Sequence, residues 1–247
     1  MGKYDGKLAV VTGGSTGIGF ATARLLVAEG ATVVLTARSK EALAAAAKEL
    51  GPKAITVVSD AAKLPDIDAL ATQVAALGKV DFLFFNAGIA KFAPLEATTE
   101  AAYDEIQDIN TKGAFFTVQK LAPHIREGGA IVFNTSVVNE KGLAATSAYS
   151  ASKAALRSLA RTLATDLLPK NIRVNAVSPG PISTPIFGKM GLPQEAVSGM
   201  EAQMREQVPM KRFGNAEEVA KAALFLGFDA TFTTGAELPV DGGFGQL

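Results

Sequence analysis

The chain has 247 residues, with 24 lysines and arginines against 24 acids, one histidine and no cysteine. Zero formal charge argues against an extended basic surface for nucleic acid, and the missing cysteines rule out disulfides and thiolate metal sites. The lone His124 has no ligand partners nearby in sequence, so no metal site is expected. Hydrophobic residues make up 48 %, ample for a core covered on both faces. No apolar run approaches membrane-spanning length and no signal-peptide pattern opens the chain, so a soluble cytoplasmic protein is expected.

Just after Lys7, residues Leu8 to Thr12 form a short apolar run of strand type. It breaks at Gly13-Gly14-Ser15-Thr16-Gly17-Ile18-Gly19, and a helical pattern follows from Phe20 to Ala28. Strand, glycine turn and helix is the context a dinucleotide site requires. Glycines let the backbone approach a pyrophosphate, and the free N–H groups of the helix start attract the anion. The second strand, Thr32 to Thr36, runs into Ala37-Arg38-Ser39-Lys40 with no acid in place. An acid there binds a ribose 2′-hydroxyl, whereas an arginine accommodates a 2′-phosphate. The planar guanidinium of Arg38 grips a phosphate with two hydrogen bonds, which favours NADP(H).

Further strand candidates recur at Ala54–Val58, Val80–Asn86, Ala130–Thr135, Ile172–Ser178 and Glu237–Val240, with helical stretches between most of them. Alternation of this kind implies an α/β fold with a parallel sheet and right-handed crossovers. No linker, charge run or internal repeat divides the chain, so a single domain over 1–247 is expected. Ligands in such sheets bind beyond the carboxyl ends of the strands, and Asp60, Asn86, Ser136 and Ser178 each fall at or near such an end.

Tyr149 and Lys153 are spaced as Y-S-A-S-K. A phenol has an unperturbed pKa of about 10, too high for efficient proton exchange near neutrality. Residues four apart share a helix face, so the Lys153 ammonium is expected to favour the Tyr149 phenolate. Ser136 can share a carbonyl oxygen with Tyr149 and steady it while charge develops there. This is machinery for protonating a carbonyl or deprotonating an alcohol.

With these motifs in view, the chain resembles the short-chain dehydrogenase/reductase family over nearly its whole length. Thr12-Gly13 through Gly19 is similar to the family's TGxxxGIG turn, Asn86-Ala87-Gly88 to its NAG segment, and Asn110-Thr111-Lys112-Gly113 to its N-x-x-G segment. Pro179-Gly180 with Thr184 resembles its nicotinamide loop. The resemblance implies a Rossmann-type doubly wound parallel sheet with helices on both faces. It implies a catalytic tetrad of Asn110, Ser136, Tyr149 and Lys153, in which Asn110 helps hold a water that links Lys153 to solvent. It also implies that Lys153 bonds the nicotinamide ribose. Cofactor contacts implied in the same way are Gly13, Ser15, Thr16, Gly17, Ile18, Gly19, Arg38, Ser39, Asp60, Ala61, Asn86, Ala87, Gly88, Pro179, Gly180, Ile182 and Thr184, besides Tyr149 and Lys153. One departure is that neither Ser15 nor Thr16 is basic, as NADP(H) enzymes of the family often have in this turn, which leaves Arg38 to carry the preference.

The family's variable substrate lid corresponds to about 183–207. Apolar residues there, with Gly188, Gly191, Pro193 and Gly199 among them, predict a lid that closes on hydrophobic or bulky ketones and secondary alcohols. Expected substrate contacts are Ser136, Val138, Leu143, Tyr149, Ile186, Phe187, Met190 and Met200, while Asn139 and Glu140 offer polar groups. Alternatives are a 3-oxoacyl-acyl-carrier-protein reductase, a sugar or polyol dehydrogenase, and an NADPH-sensing binding protein without turnover. A homotetramer is implied by the resemblance, and Ala151, Ala154, Ala155 and Ser158 permit close helix approach.

Overall fold

A computed structural model describes residues 2–184 and 194–247. Its elements in chain order are β1 Leu8–Thr12, α1 Gly17–Ala28, β2 Thr32–Ala37, α2 Lys40–Leu50, β3 Ala54–Val58, α3 Leu64–Leu77, β4 Val80–Phe85, α4 Glu100–Gln107, α5 Gly113–Leu121, β5 Ile125–Asn134, α6 Ser147–Leu167, β6 Arg173–Pro179, β7 Ile182–Ser183, α7 Gln194–Gln207, β8 Gly214–Asn215, α8 Ala216–Leu224 and β9 Glu237–Val240. Seven strands form one sheet in the order β3-β2-β1-β4-β5-β6-β9, each pair parallel. The winding reverses between β1 and β4, which opens a crevice at their carboxyl ends.

Strands covered on both faces read as unbroken apolar runs. Every residue of β1 and of β4 is buried. Alternate residues then divide between two cores. Val10, Val34, Leu83 and Ile131 pack under α3, α5 and α6, whereas Val11, Leu35, Phe84 and Val132 pack under α1, α2 and α8. Asp81 is the buried exception in β4. It is matched by Lys7 at 3.0 Å, by Arg126 at 3.1 Å and by the Leu8 N–H at 2.9 Å, so the charge is paired rather than stranded.

The sequence-based strand bounds hold for β3 and β9, while β5 begins earlier than its apolar run. Ile125 already pairs with Val80, and the register shifts before Phe82. Gly128, at φ +77°, lets the polar stretch Arg126–Gly129 stay in the strand. The short parallel pair β7–β8 carried no periodicity to reveal it. Of the lid region, Ile186, Phe187 and Met190 lie outside the described residues, and Met200 falls on α7. Among the described residues no helix is long and apolar enough to cross a membrane.

Candidate active site

The glycine turn closes on itself. Gly13 and Gly17 take φ of +62° and +58°, conformations that side chains with a Cβ rarely adopt. A Cβ on Gly19 would stand 2.4 Å from the Gly13 carbonyl oxygen and 2.6 Å from Asn86 Nδ2, so only glycine fits. Asn86 Nδ2 donates to the carbonyls of Thr12 and Gly13 at 3.1 Å each. In return Thr12 Oγ1 accepts the N–H groups of Asn86 and Ala87 at 3.0 Å each. Asn134 Nδ2 extends this knot to β5 by donating to Asn86 Oδ1 at 2.9 Å. The Asn86 side chain, expected to contact the cofactor, is thus committed to joining the tips of β1, β4 and β5.

No side chain caps α1, because the Thr16 hydroxyl makes no hydrogen bond to the helix, and its first turn holds no acid. Partly exposed Ser15 and Ile18 and exposed Thr16 flank this helix start. A turn of this kind, with uncapped amides and no acid, suits a pyrophosphate. Thr184 closes the other side, since a Cβ on Gly17 would lie 3.7 Å from its methyl. The turn after β6 is equally tight: a Cβ on Gly180 would fall 2.7 Å from Asp241 Cα. Pro179 ends the strand, and the Ile182 side chain is buried in the core, which leaves its backbone for any contact.

Arg38 stands exposed just past β2, and among the described residues no hydrogen bond or ion pair engages it. Ser39 is less free than its position suggests. It caps α2 by accepting the Ala42 N–H at 3.1 Å and donates to Glu41 Oε2 at 2.9 Å. Asp60, past β3, turns its own loop by accepting the Ala62 N–H at 3.1 Å. Ala61 packs on the start of α5, where a Cβ on Gly113 would meet its carbonyl oxygen at 2.4 Å.

Ser136 lies beyond β5 and opens a single 3₁₀ turn, Val137–Asn139, accepting the N–H of buried Val138 at 3.5 Å. Tyr149 and Lys153 come from the first turns of α6. The structure brings the three together: the Tyr149 phenol interacts with the Ser136 side chain, and Lys153 Nζ is 5.7 Å from the Tyr149 ring centre. Lys153 is only 5 % exposed and donates to the Asn134 carbonyl at 2.7 Å. Exposed Gly88 borders the same space, and a Cβ there would lie 3.6 Å from Lys153 Nζ.

The electrostatics correct one expectation. Tyr149 was expected to be acidified by Lys153, but burial pushes its phenol up to about 12, with only the Ser136 side chain pulling the other way. The ring keeps part of its surface, yet the protein packed around it withholds the water a phenolate needs. Burial likewise lowers Lys153 to about 8, so it remains mainly an ammonium at neutral pH.

Asn110 is wholly buried in a π-helical segment, Asp108–Lys112, between α4 and α5. Such segments disturb the regular bonding ladder and recur at functional sites. Its Oδ1 accepts the Ile89 N–H at 2.8 Å, and its Nδ2 donates to the Ile89 carbonyl at 3.0 Å and to Ser152 Oγ at 2.9 Å. Both donors are therefore spent on joining the loop after β4 to α6, which leaves one lone pair on Oδ1 for any water.

Phe92 escaped the sequence reading. It is exposed and meets Tyr149 edge-on, with ring centres 5.7 Å apart. Its one available signal was a place in the loop that begins with Asn86-Ala87-Gly88. Leu143, expected to meet substrate, is half-buried and packs against Val137, Val208 and Phe244. Asn139 instead turns to Glu237 and is not free to present its amide to a substrate.

Comparison with known proteins agrees with this geometry. Residues 13–245 match a family model described as enoyl-(acyl carrier protein) reductase. The oxidoreductase asL5 of Sarocladium schorii is 40 % identical over 99 % of this chain and 98 % of its own. The 3-oxoacyl-[acyl-carrier-protein] reductase FabG of Thermotoga maritima is 37 % identical, covering 98 % of each. A crystal structure of a short-chain dehydrogenase/reductase (glucose/ribitol dehydrogenase) from Brucella melitensis superposes with a TM-score of 0.91 at 32 % identity, covering 98 % of each chain.

Proposed function

Because this chain belongs to the short-chain dehydrogenase/reductase family, we propose that it is an NADP(H)-dependent oxidoreductase interconverting ketones and secondary alcohols, with hydrophobic or bulky molecules as substrates. The family's enzymes work with nicotinamide cofactors. The observation that carries the reading is the meeting of Ser136, Tyr149 and Lys153 at the strand ends beside the glycine turn. Arg38, unengaged and with no acid replacing it at the end of β2, supports the 2′-phosphorylated nucleotide. Phe92 against Tyr149, with Leu143 nearby in the chain, supports an apolar substrate.

When bound, the nicotinamide supplies the hydride for the carbonyl carbon. Tyr149, which burial keeps protonated, gives its hydroxyl proton to the carbonyl oxygen as negative charge develops there. Ser136 donates to the same oxygen and holds it in line. The Lys153 ammonium balances the charge left on Tyr149. Asn110 keeps the loop after β4 and α6 in register, so that Gly88 stays clear of Lys153. The remaining turn residues, Gly13 to Gly19 with Thr184, would hold the nucleotide's phosphates and amide. Assembly as a homotetramer in the cytoplasm belongs to the same proposal, on the family likeness and the small residues along α6.

The deciding experiment follows NADPH and NADH oxidation at 340 nm against a panel of aryl, long-chain and small ketones and sugars. NADPH-linked turnover, best on bulky ketones, is the expected result. Highest kcat/KM on small polyols or sugars would overturn the apolar-substrate claim. The likeness to FabG favours a second reading, reduction of acyl thioesters on a carrier protein. A large advantage of carrier-bound 3-oxoacyl groups over comparable free ketones would establish that reading instead.

A further inference from the structure

Ser136 belongs to a loop whose two shoulders turn to a single acceptor. Glu237, at the start of β9 and with a side chain only 7 % exposed, receives the amide of Asn139 on both carboxylate oxygens, at 2.9 and 3.0 Å. It also receives the hydroxyl of Thr135, whose single proton it shares with the Val177 carbonyl at 2.8 Å. Thr135 and Asn139 bracket Ser136. The same carboxylate lies 3.5 Å from Arg157 Nε. Arg157 follows Tyr149 and Lys153 at four-residue intervals, on the same face of α6, and its Nη1 donates to the Gly235 carbonyl at 2.9 Å.

Glu237 therefore bonds to the loop that carries Ser136 and pairs with the helix that carries Tyr149. Other charges near the pair are Glu140, which supports the Arg157 charge, and Arg161, which opposes it. Beside the pair lies a cavity of about 100 Å³, lined by Val137, Glu140, Arg157 and Glu237 among others. A loop freed from Glu237 would have room to relax into it.

We propose that Glu237 is a positioning residue: with Arg157 it clamps the Ser136 loop to the Tyr149 helix and so fixes how the two hydroxyls face one carbonyl oxygen. Glu237 touches neither of those hydroxyls, so it acts through the loop alone. The inference rests on the oxidoreductase reading above.

The test starts from the wild type and Tyr149→Phe, whose activity and inactivity establish that reading. Glu237→Gln keeps the side chain's size and one acceptor, but removes the charge facing Arg157 and sets a second amide N–H₂ against Asn139. Its kcat should fall at least about tenfold while the NADPH dissociation constant stays within about twofold, because the nucleotide turn is built elsewhere. Asn139→Ala, at a half-buried position, is the milder variant should Glu237→Gln not fold, and it should lose kcat severalfold in the same pattern. The double variant Glu237→Gln/Asn139→Asp restores a donor facing an acceptor and a negative charge in the cluster, and it should recover most of the lost kcat. Unchanged kcat in both single variants, or a loss of kcat matched by an equal loss of nucleotide affinity, overturns the clamp while leaving the reductase assignment standing. A wild type without ketone turnover overturns both.

Discussion

Lys153 Nζ and the carbonyl oxygen of Asn134 are 2.7 Å apart, which moors the buried ammonium to the last residue of β5. The chain reaches Ser136 two residues later. Cation and hydroxyl are thereby indexed to the same strand end, and both depend on where β5 stops.

One consequence is a pH limb. Reduction requires a protonated Tyr149, which persists to about 12, and a charged Lys153, which persists to about 8. Burial lowers the lysine, so its charge is lost as pH rises through that value, well before that of a free lysine near 10.5. With saturating nucleotide, kcat/KM for ketone reduction should be level below about 8 and decline above it. A profile that stays level to pH 10 or so would show that the ammonium is dispensable.

Stability should respond in the opposite sense. A buried cation held by a carbonyl is costly, so Lys153→Met should raise the melting temperature by a few degrees while abolishing activity. Since the folded-state pKa, about 8, lies below the unfolded value of 10.5, the unfolded chain binds the extra proton between those limits. Wild-type stability should therefore gain on the variant's as pH rises across that window. Thermal melts at matched pH values check both statements.

Tyr149→Phe keeps the ring and its edge-on contact with Phe92 but removes the transferable proton. Reduction should fall by roughly 10² to 10⁴, with nucleotide affinity by calorimetry nearly unchanged. Turnover close to wild type would remove Tyr149 from the mechanism.

Arg38→Asp exchanges a free guanidinium for a charge that repels a 2′-phosphate. The ratio of kcat/KM for NADPH over NADH should fall below one in the variant. Equal ratios for both nucleotides in the wild type would contradict the role given to Arg38.

Phe92→Ala should raise KM for aryl ketones several-fold and leave small ketones nearly untouched, because the exposed ring supplies apolar area beside the Tyr149 ring. Equal effects on both substrate classes would mean that Phe92 acts only by supporting Tyr149.

What the sequence disclosed is what depends on neighbours in the chain. The glycine turn, the ends of β1 and β2, and the Tyr149–Lys153 spacing are local, and each is found in the fold at the residues the sequence marked. What stayed hidden depends on residues far apart in sequence. Asn86 looked like a ligand contact because nothing nearby shows that Thr12 and Asn134 consume its side chain. Glu237 meets Thr135 across a separation of 102 residues, beyond any periodic signal. The basicity of Tyr149 follows from how densely the fold surrounds it, which spacing does not encode. The π-helical turn at Asn110 likewise carries no periodic signal, and its asparagine bonds to Ile89 and Ser152, which lie 21 and 42 residues away.

The knot between Thr12 and Asn86 bears on how the nucleotide is captured. Its bonds are made within the folded chain, so the shape of the glycine turn is settled during folding and not on encounter. The ordering entropy of the turn is then absent from the association step. Capture should proceed as docking onto a finished surface, with a rate insensitive to loop fluctuation, and the affinity should reside mainly in how slowly the nucleotide leaves.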